Sequence, residues 1–161
     1  VHVSIVAMEI IAALAVETVE RPNLAVQCAL LQDCLEDTYI VYDEIVTQYG
    51  IYVADGVLAL SKDGAVGKTE DEYKRDWLQL EDSLQRIKQQ PREIWMVKMA
   101  DRIINLRRPP NHWNDGKIAW YKQGAELIHK ELSSASEYLG ERLRTKIDRY
   151  PESTAAPTIE E

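Results

Sequence analysis

The chain is short of the residues that most cheaply identify a protein class. It has only two cysteines in 161 residues, Cys28 and Cys34. Their spacing is neither C-x-x-C nor a zinc-finger pattern, so a disulfide framework and a structural zinc knuckle are both excluded. Cys28 reads as a core residue and Cys34 as a free structural thiol, a usage that suits a reducing cytoplasm. No apolar run reaches the ~18 residues that suggest a membrane span. The first apolar segment is interrupted by Glu9, Glu17 and Glu20, which makes it a poor signal or anchor. Positive charge is also scarce: 19 Lys and Arg stand against 27 Asp and Glu, a formal charge of −8. A broad nucleic-acid surface would be basic, so none is expected. Neither a P-loop nor a G-x-G-x-x-G is present, nor a pattern pointing to a Ser–His–Asp or Cys–His pair.

What remains is a chain of one-domain length with 45 % hydrophobic residues, enough to bury a core. Its periodicity is helical, with no convincing strand. Helices are expected over Val3–Val19, Leu24 to about Leu35 (capped by Asn23 after Pro22), Tyr42–Tyr49 (stopped by Gly50) and Ile51–Leu60. After a loop at Lys62–Glu70 come Asp71–Gln90, with Trp77, Leu80, Leu84 and Ile87 inward, and Arg92–Leu106 behind Pro91. Lys117–Leu132 and Ser136–Tyr150 close an all-α bundle spanning residues 1–150. Residues 151–161, PESTAAPTIEE, read as a disordered acidic tail.

The chemistry concentrates in Ala29–Thr38, ALLQDCLEDT. On a continuous helix Gln32, Asp33, Glu36 and Asp37 share one face. Acids at a helix C-terminus oppose its partial negative charge, and a bound cation is the simplest compensation. A second segment, VKMADRIINL at 97–106, places Lys98, Asp101 and Asn105 on one face. Asp101 borders the apolar stripe and needs a metal, an arginine or several donors. His2, opening the first helix, offers a further ligand. Asp33 and Asp101 could anchor a cation, with Glu36 and Asp37 beside it to orient a water and take its proton. Lys62, Lys98, Arg107 and Arg108 are the local cations available to a polyanionic ligand. Trp113 could stack on a base or pack its loop, and Tyr121 could contact a nucleotide. His129 reads as surface, and Arg102 as a brace to an acidic partner.

The order of these motifs resembles the HD-domain hydrolases. A histidine precedes a helix, then come LLQDCLEDT and KMADRIINL, where the family pattern is LL-His-D-x-x-E-D-T and K-x-A-D-R-x-x-N-L. YDEIVTQYGIYVADGVLALSKD and RRPPNHW are similar to the (p)ppGpp 3′-pyrophosphohydrolases of Rel/SpoT type, the latter to the small stand-alone branch. The resemblance implies an HD-domain helical bundle and a metal-dependent hydrolysis of the 3′-diphosphate of (p)ppGpp that releases pyrophosphate. It implies one divalent cation, usually Mn²⁺, held by His2, Gln32, Asp33 and Asp101. Glu36 and Asp37 match the pair that prepares the attacking water, and Asn105 matches a nucleotide contact. Lys98, Arg108, Lys62 and Tyr121 complete the expected substrate contacts. The expected partner is a small nucleotide, with no nucleic acid and no membrane.

Two departures stand out. Gln32 occupies the place of the histidine in the His-Asp doublet, and a neutral amide is a weaker ligand than imidazole. The family also has a helix and a basic loop ahead of the histidine matched by His2, so the chain is expected to be a fragment, an incomplete gene product or an unusual variant. Competing with the hydrolase reading are an inactive nucleotide-binding or regulatory domain and a phosphohydrolase of another nucleotide.

Overall fold

A computed structural model describes residues 1–151. Those residues form α1 (His2–Leu14), α2 (Pro22–Leu31), α3 (Cys34–Asp37), α4 (Tyr42–Tyr49), α5 (Ile51–Leu60), α6 (Glu72–Lys88), α7 (Arg92–Asn105), α8 (Asp115–Leu132) and α9 (Glu137–Arg149), with a 3₁₀ turn at Ser133–Ala135. No strand occurs among them. Most of the acidic tail expected at 151–161, from residue 152 onward, lies outside the described residues.

The architecture is organised around α7, which packs against α1, α2, α5, α6, α8 and α9. Its sequence explains the position. Ile94, Met96, Val97, Met99, Ala100 and Ile103 are all essentially inaccessible, so the helix buries far more than one stripe. Apart from Glu93 near its start, its polar work falls to the strip carrying Lys98, Asp101, Arg102 and Asn105. Against α7 lie Val6, Ile10 and Ala13 of α1, Ala25 and Cys28 of α2, and Leu139, Leu143 and Ile147 of α9, within one continuous core.

Close approach of α5 depends on Gly56. A methyl group there would come within 2.5 Å of Ile94 Cδ1 and 2.9 Å of Cys28 Sγ. Gly50, with φ 90°, makes the turn between α4 and α5, a backbone conformation that side chains resist.

Polar tethers fix the outer elements. Glu93, buried on α7, accepts the backbone N–H of Arg21 at 2.8 Å and so holds the entrance to α2. Glu17 accepts from the Ser136 hydroxyl (3.0 Å) and the Tyr138 amide (2.6 Å). Arg142 of α9 is paired with Glu9 of α1. N-terminal caps are Asp71, Asn114 and Ser136, each accepting an amide of its own first turn.

Three sequence expectations need correction. The first helix ends at Leu14, not Val19, because Glu17 is recruited to the start of α9. Pro22 is the first residue of α2 and Asn23 lies inside it, since proline is well suited to a first helical position. The helix expected to run to Leu35 stops at Leu31, and Gln32 and Asp33 form the break before α3. Glu36 and Asp37 therefore sit in the first turn of a new short helix rather than at the end of an old one. Because α3 is a single turn, Glu36 and Asp37 no longer close a long aligned helix, and the conflict between acids and helix polarity is small.

Candidate functional site

The break between α2 and α3 turns Gln32 and Asp33 towards the polar strip of α7. His2 Nε2 donates to Asp101 Oδ1 at 2.8 Å. The same oxygen receives Gln32 Nε2 at 3.4 Å and Asn105 Nδ2 at 3.2 Å. Four of the residues singled out in the sequence thus meet at one carboxylate. Asn105 reaches it along α7, as the helical spacing predicts, whereas His2 and Gln32 arrive from α1 and the end of α2.

Charges at this point are strongly coupled. Burial pushes the Asp101 carboxyl upward, but the His2 hydrogen bond and the Lys98 and Arg102 charges outweigh it and hold it below its ordinary range. The His2 imidazole is raised by its bond to Asp101. Asp33 is raised by burial and then by the charge of Asp101. Burial lowers the Lys98 ammonium to about 8, with Asp101 partly opposing it.

A cavity of 290 Å³ opens over this cluster. Gln32, Asp33, Glu36 and Asp101 lie on its acidic side, and Lys62, Lys98, Arg102 and Lys117 supply cations. Glu36 also accepts the backbone N–H of Lys62, tying α3 to the second residue beyond the end of α5. Trp113, Trp120 and Tyr121 make an aromatic wall. Trp113 meets Tyr121 edge-on, with ring centroids 5.2 Å apart. Lys117 Nζ lies 5.0 Å from the Trp113 centroid.

Of the expected site residues, four do not line this cavity: His2 and Asn105, which reach Asp101 from behind its wall, and Asp37 and Arg108. Asp37 is exposed on α3, and Arg108 is exposed in the loop after α7. Arg107 lines a different cleft. Arg102 is not braced by a carboxylate among the described residues; its guanidinium lies 4.2 Å from the Tyr121 ring centroid, over the ring. Sequence reasoning missed Lys117 and Trp120. The i, i+3, i+4 spacing of Lys117, Trp120 and Tyr121 on a helix was the available signal.

The donor set suits a hard divalent cation in kind: one imidazole, two carboxylates and an amide. The structural sign is that Asp33 and Asp101 line the same cavity, where two carboxylates are relieved by a cation; burial and then the Asp101 charge raise Asp33 accordingly. Among the described residues, however, no three His, Cys, Asp or Glu side chains are gathered at ligand spacing. His2 and Asp101 close directly on each other, and the fourth donor is Gln32.

The helical order and the cluster around Asp101 define an HD-type fold. The structure superposes on that of a metazoan ortholog of SpoT that hydrolyses ppGpp and plays a role in starvation responses, with a TM-score of 0.72 at 23 % identity, covering 92 % of this chain and 79 % of the other. It also matches lmo0812 from Listeria monocytogenes EGD-e, with a TM-score of 0.64 at 20 % identity and 94 % of both chains covered. In sequence the chain is similar to the guanosine-3′,5′-bis(diphosphate) 3′-pyrophosphohydrolases MESH1. It is 30 % identical to that of Homo sapiens over 128 residues, 75 % of this chain and 65 % of the relative. Identity to that of Mus musculus is 28 % over 128 residues, with the same coverage. It is 31 % to that of Xenopus tropicalis over 124 residues, 73 % of this chain and 63 % of the relative. The chain thus spans just under two thirds of the length of these relatives. No family model matches it.

Proposed function

We propose that the chain is a metal-dependent phosphohydrolase acting on the 3′-diphosphate of guanosine tetra- or pentaphosphate and releasing pyrophosphate, the activity for which its MESH1 relatives are named. The observation that carries the proposal is the convergence of His2, Gln32 and Asn105 on Asp101 at the wall of a cavity with cationic and aromatic sides.

In this reading His2, Gln32, Asp33 and Asp101 hold the cation, Mn²⁺ or another divalent ion. A cation bound there neutralises phosphoryl charge and acidifies water. Lys62, Lys98, Arg102 and Lys117 bind the phosphates, and Asn105 orients the nucleotide next to Asp101. The aromatic wall of Trp113, Trp120 and Tyr121 receives the base. Water forms the new bond to the phosphorus nearest the ribose, and the bond between that phosphorus and the 3′ oxygen breaks. Glu36, on the cavity wall, takes the water proton, with Asp37 adding negative potential from the same short helix. Arg108 would have to reach the substrate from outside the cavity. The nucleotide is the expected partner, with neither nucleic acid nor membrane, and the reduced thiols fit a cytoplasmic location. No helix among the described residues is long and apolar enough to cross a membrane.

A second reading has its own observation. Gln32 presents Nε2 to Asp101, an arrangement that also suits a domain that binds the nucleotide without turning it over. Mn²⁺-dependent pyrophosphate release from ppGpp, measured on this chain and on Gln32→His, separates the two. The hydrolase reading expects release from both proteins, faster in Gln32→His by at least tenfold. Tight ppGpp binding with no release from either protein would establish the binding domain instead. Release from a different nucleotide alone would keep the chemistry and replace the substrate.

A further inference from the structure

A larger cleft, of 420 Å³, lies between the C-terminal end of α7 and α9. Its lining includes Arg107, Arg142, Lys146 and Arg149, with Glu141 as the acidic member. Four cations around one cleft are unexpected in a chain of net charge −8.

The four are not equivalent. Arg142 is committed to Glu9. Arg107, Lys146 and Arg149 form no ion pair among the described residues. Lys146 and Arg149 stand in the last turn of α9, where cations complement the helix dipole whatever else they do. Arg107, the residue after the α7 C-cap, stands at the C-terminal end of α7 in the same way, so the cleft gathers cations from the ends of two helices. A second observation is independent of charge. Tyr150, also in the lining, is 4 % exposed, and its hydroxyl is buried without a hydrogen-bond partner among the described residues. Buried hydroxyls are normally satisfied. Three uncommitted cations drawn from two elements, in a cleft of nucleotide size, fit the oxygens of a phosphate chain.

We propose that this cleft is a second anion site, which takes a small phosphate-bearing ligand through Arg107, Lys146 and Arg149. Tyr121 of the first cavity and Tyr150 of this cleft are in ring contact, with centroids 6.0 Å apart, so the two ligands would lie on either side of one aromatic pair. The proposal does not rest on the hydrolase reading, because occupancy is read without turnover.

The test uses the full chain with a chelator present, backbone amide NMR shifts, and inorganic tripolyphosphate as the probe. Shifts are expected at Arg107 and Thr145–Tyr150, together with a Kd that weakens as salt is raised. Lys146→Gln with Arg149→Gln should weaken that Kd at least tenfold and leave the shifts around Asp101 in place. A milder variant, Arg149→Gln alone, guards against loss of fold and should weaken it by several-fold. GDP should reproduce the α9 shifts and guanosine should not, because the phosphates are what is recognised; if tripolyphosphate fails and GDP succeeds, the source is a nucleotide and the site stands. Shifts confined to the Asp101 cavity with every probe, or a Kd at α9 unchanged in the double variant, would overturn the proposal.

Discussion

At the scale of single residues, Lys98 offers the sharpest consequence. It is placed on α7 between buried neighbours, and burial lowers its ammonium to about 8 from an ordinary 10.5. Its protonated form is thus favoured more in the unfolded chain. Between about pH 8 and 10.5 the unfolded state holds more protons, so this residue makes stability rise with pH. A shift of that size corresponds to on the order of 3 kcal/mol, which Lys98 costs the fold at neutral pH. Lys98→Met is expected to raise the urea midpoint at pH 7 and to remove much of the gain between pH 7 and 10. The same substitution should raise KM for a polyphosphorylated substrate at least tenfold. Increased stability with unchanged KM would place Lys98 outside the substrate contacts. The tension has a familiar form, in which a group kept for function is tolerated at a cost in stability.

At the scale of elements, the helices were legible where their signals were local. Gly50 between α4 and α5, Asp71 ahead of α6 and Ser136 ahead of α9 are stop and start residues whose side chains or φ values act within a few positions. The end of α1 and the break after Leu31 were not legible, because their causes lie far along the chain: Glu17 answers Ser136 and Tyr138, and the Gln32–Asp33 break faces Asp101. The site shows the same division. Asn105 beside Asp101 follows from helix spacing, whereas the seating of His2 and Gln32 on the same oxygen needed the fold. Lys117 and Trp120 were overlooked because their helix carried no motif of its own. Packing between elements gives a further prediction at Gly56. Alanine would gain roughly 1 kcal/mol in helix propensity, but its methyl would collide with the inaccessible Ile94 and Cys28. Overpacking costs about 1–3 kcal/mol, so Gly56→Ala is expected to lower stability by about 1 kcal/mol in urea denaturation. Because Ile94 and Asp101 share α7, some loss of nucleotide affinity should accompany it. A stabilised Gly56→Ala would show that α5 can retreat from α7 at no cost.

At the scale of the whole molecule, cations gather within the described residues in the cavity over Asp101 and in the cleft facing α9, against the negative balance of the chain. Both use cations drawn from separate elements, so neither was visible as a basic run in the sequence. The fold also treats its two thiols unequally. Cys28 is fully enclosed, and burial pushes its thiol up to about 12, while Cys34 is only half-buried on α3. Thiolate is the reactive form, so a disulfide reagent at pH 8 should label one sulfur promptly. The second should wait for the core to open, at a rate that urea accelerates. Cys34→Ser should leave only the slow phase, and two fast phases in the parent chain would show that α2 and α5 part readily. The chain thereby carries a built-in chemical clock, in which one thiol measures the motion of α3 at the edge of the cavity and the other times the opening of the core that holds α7 in place.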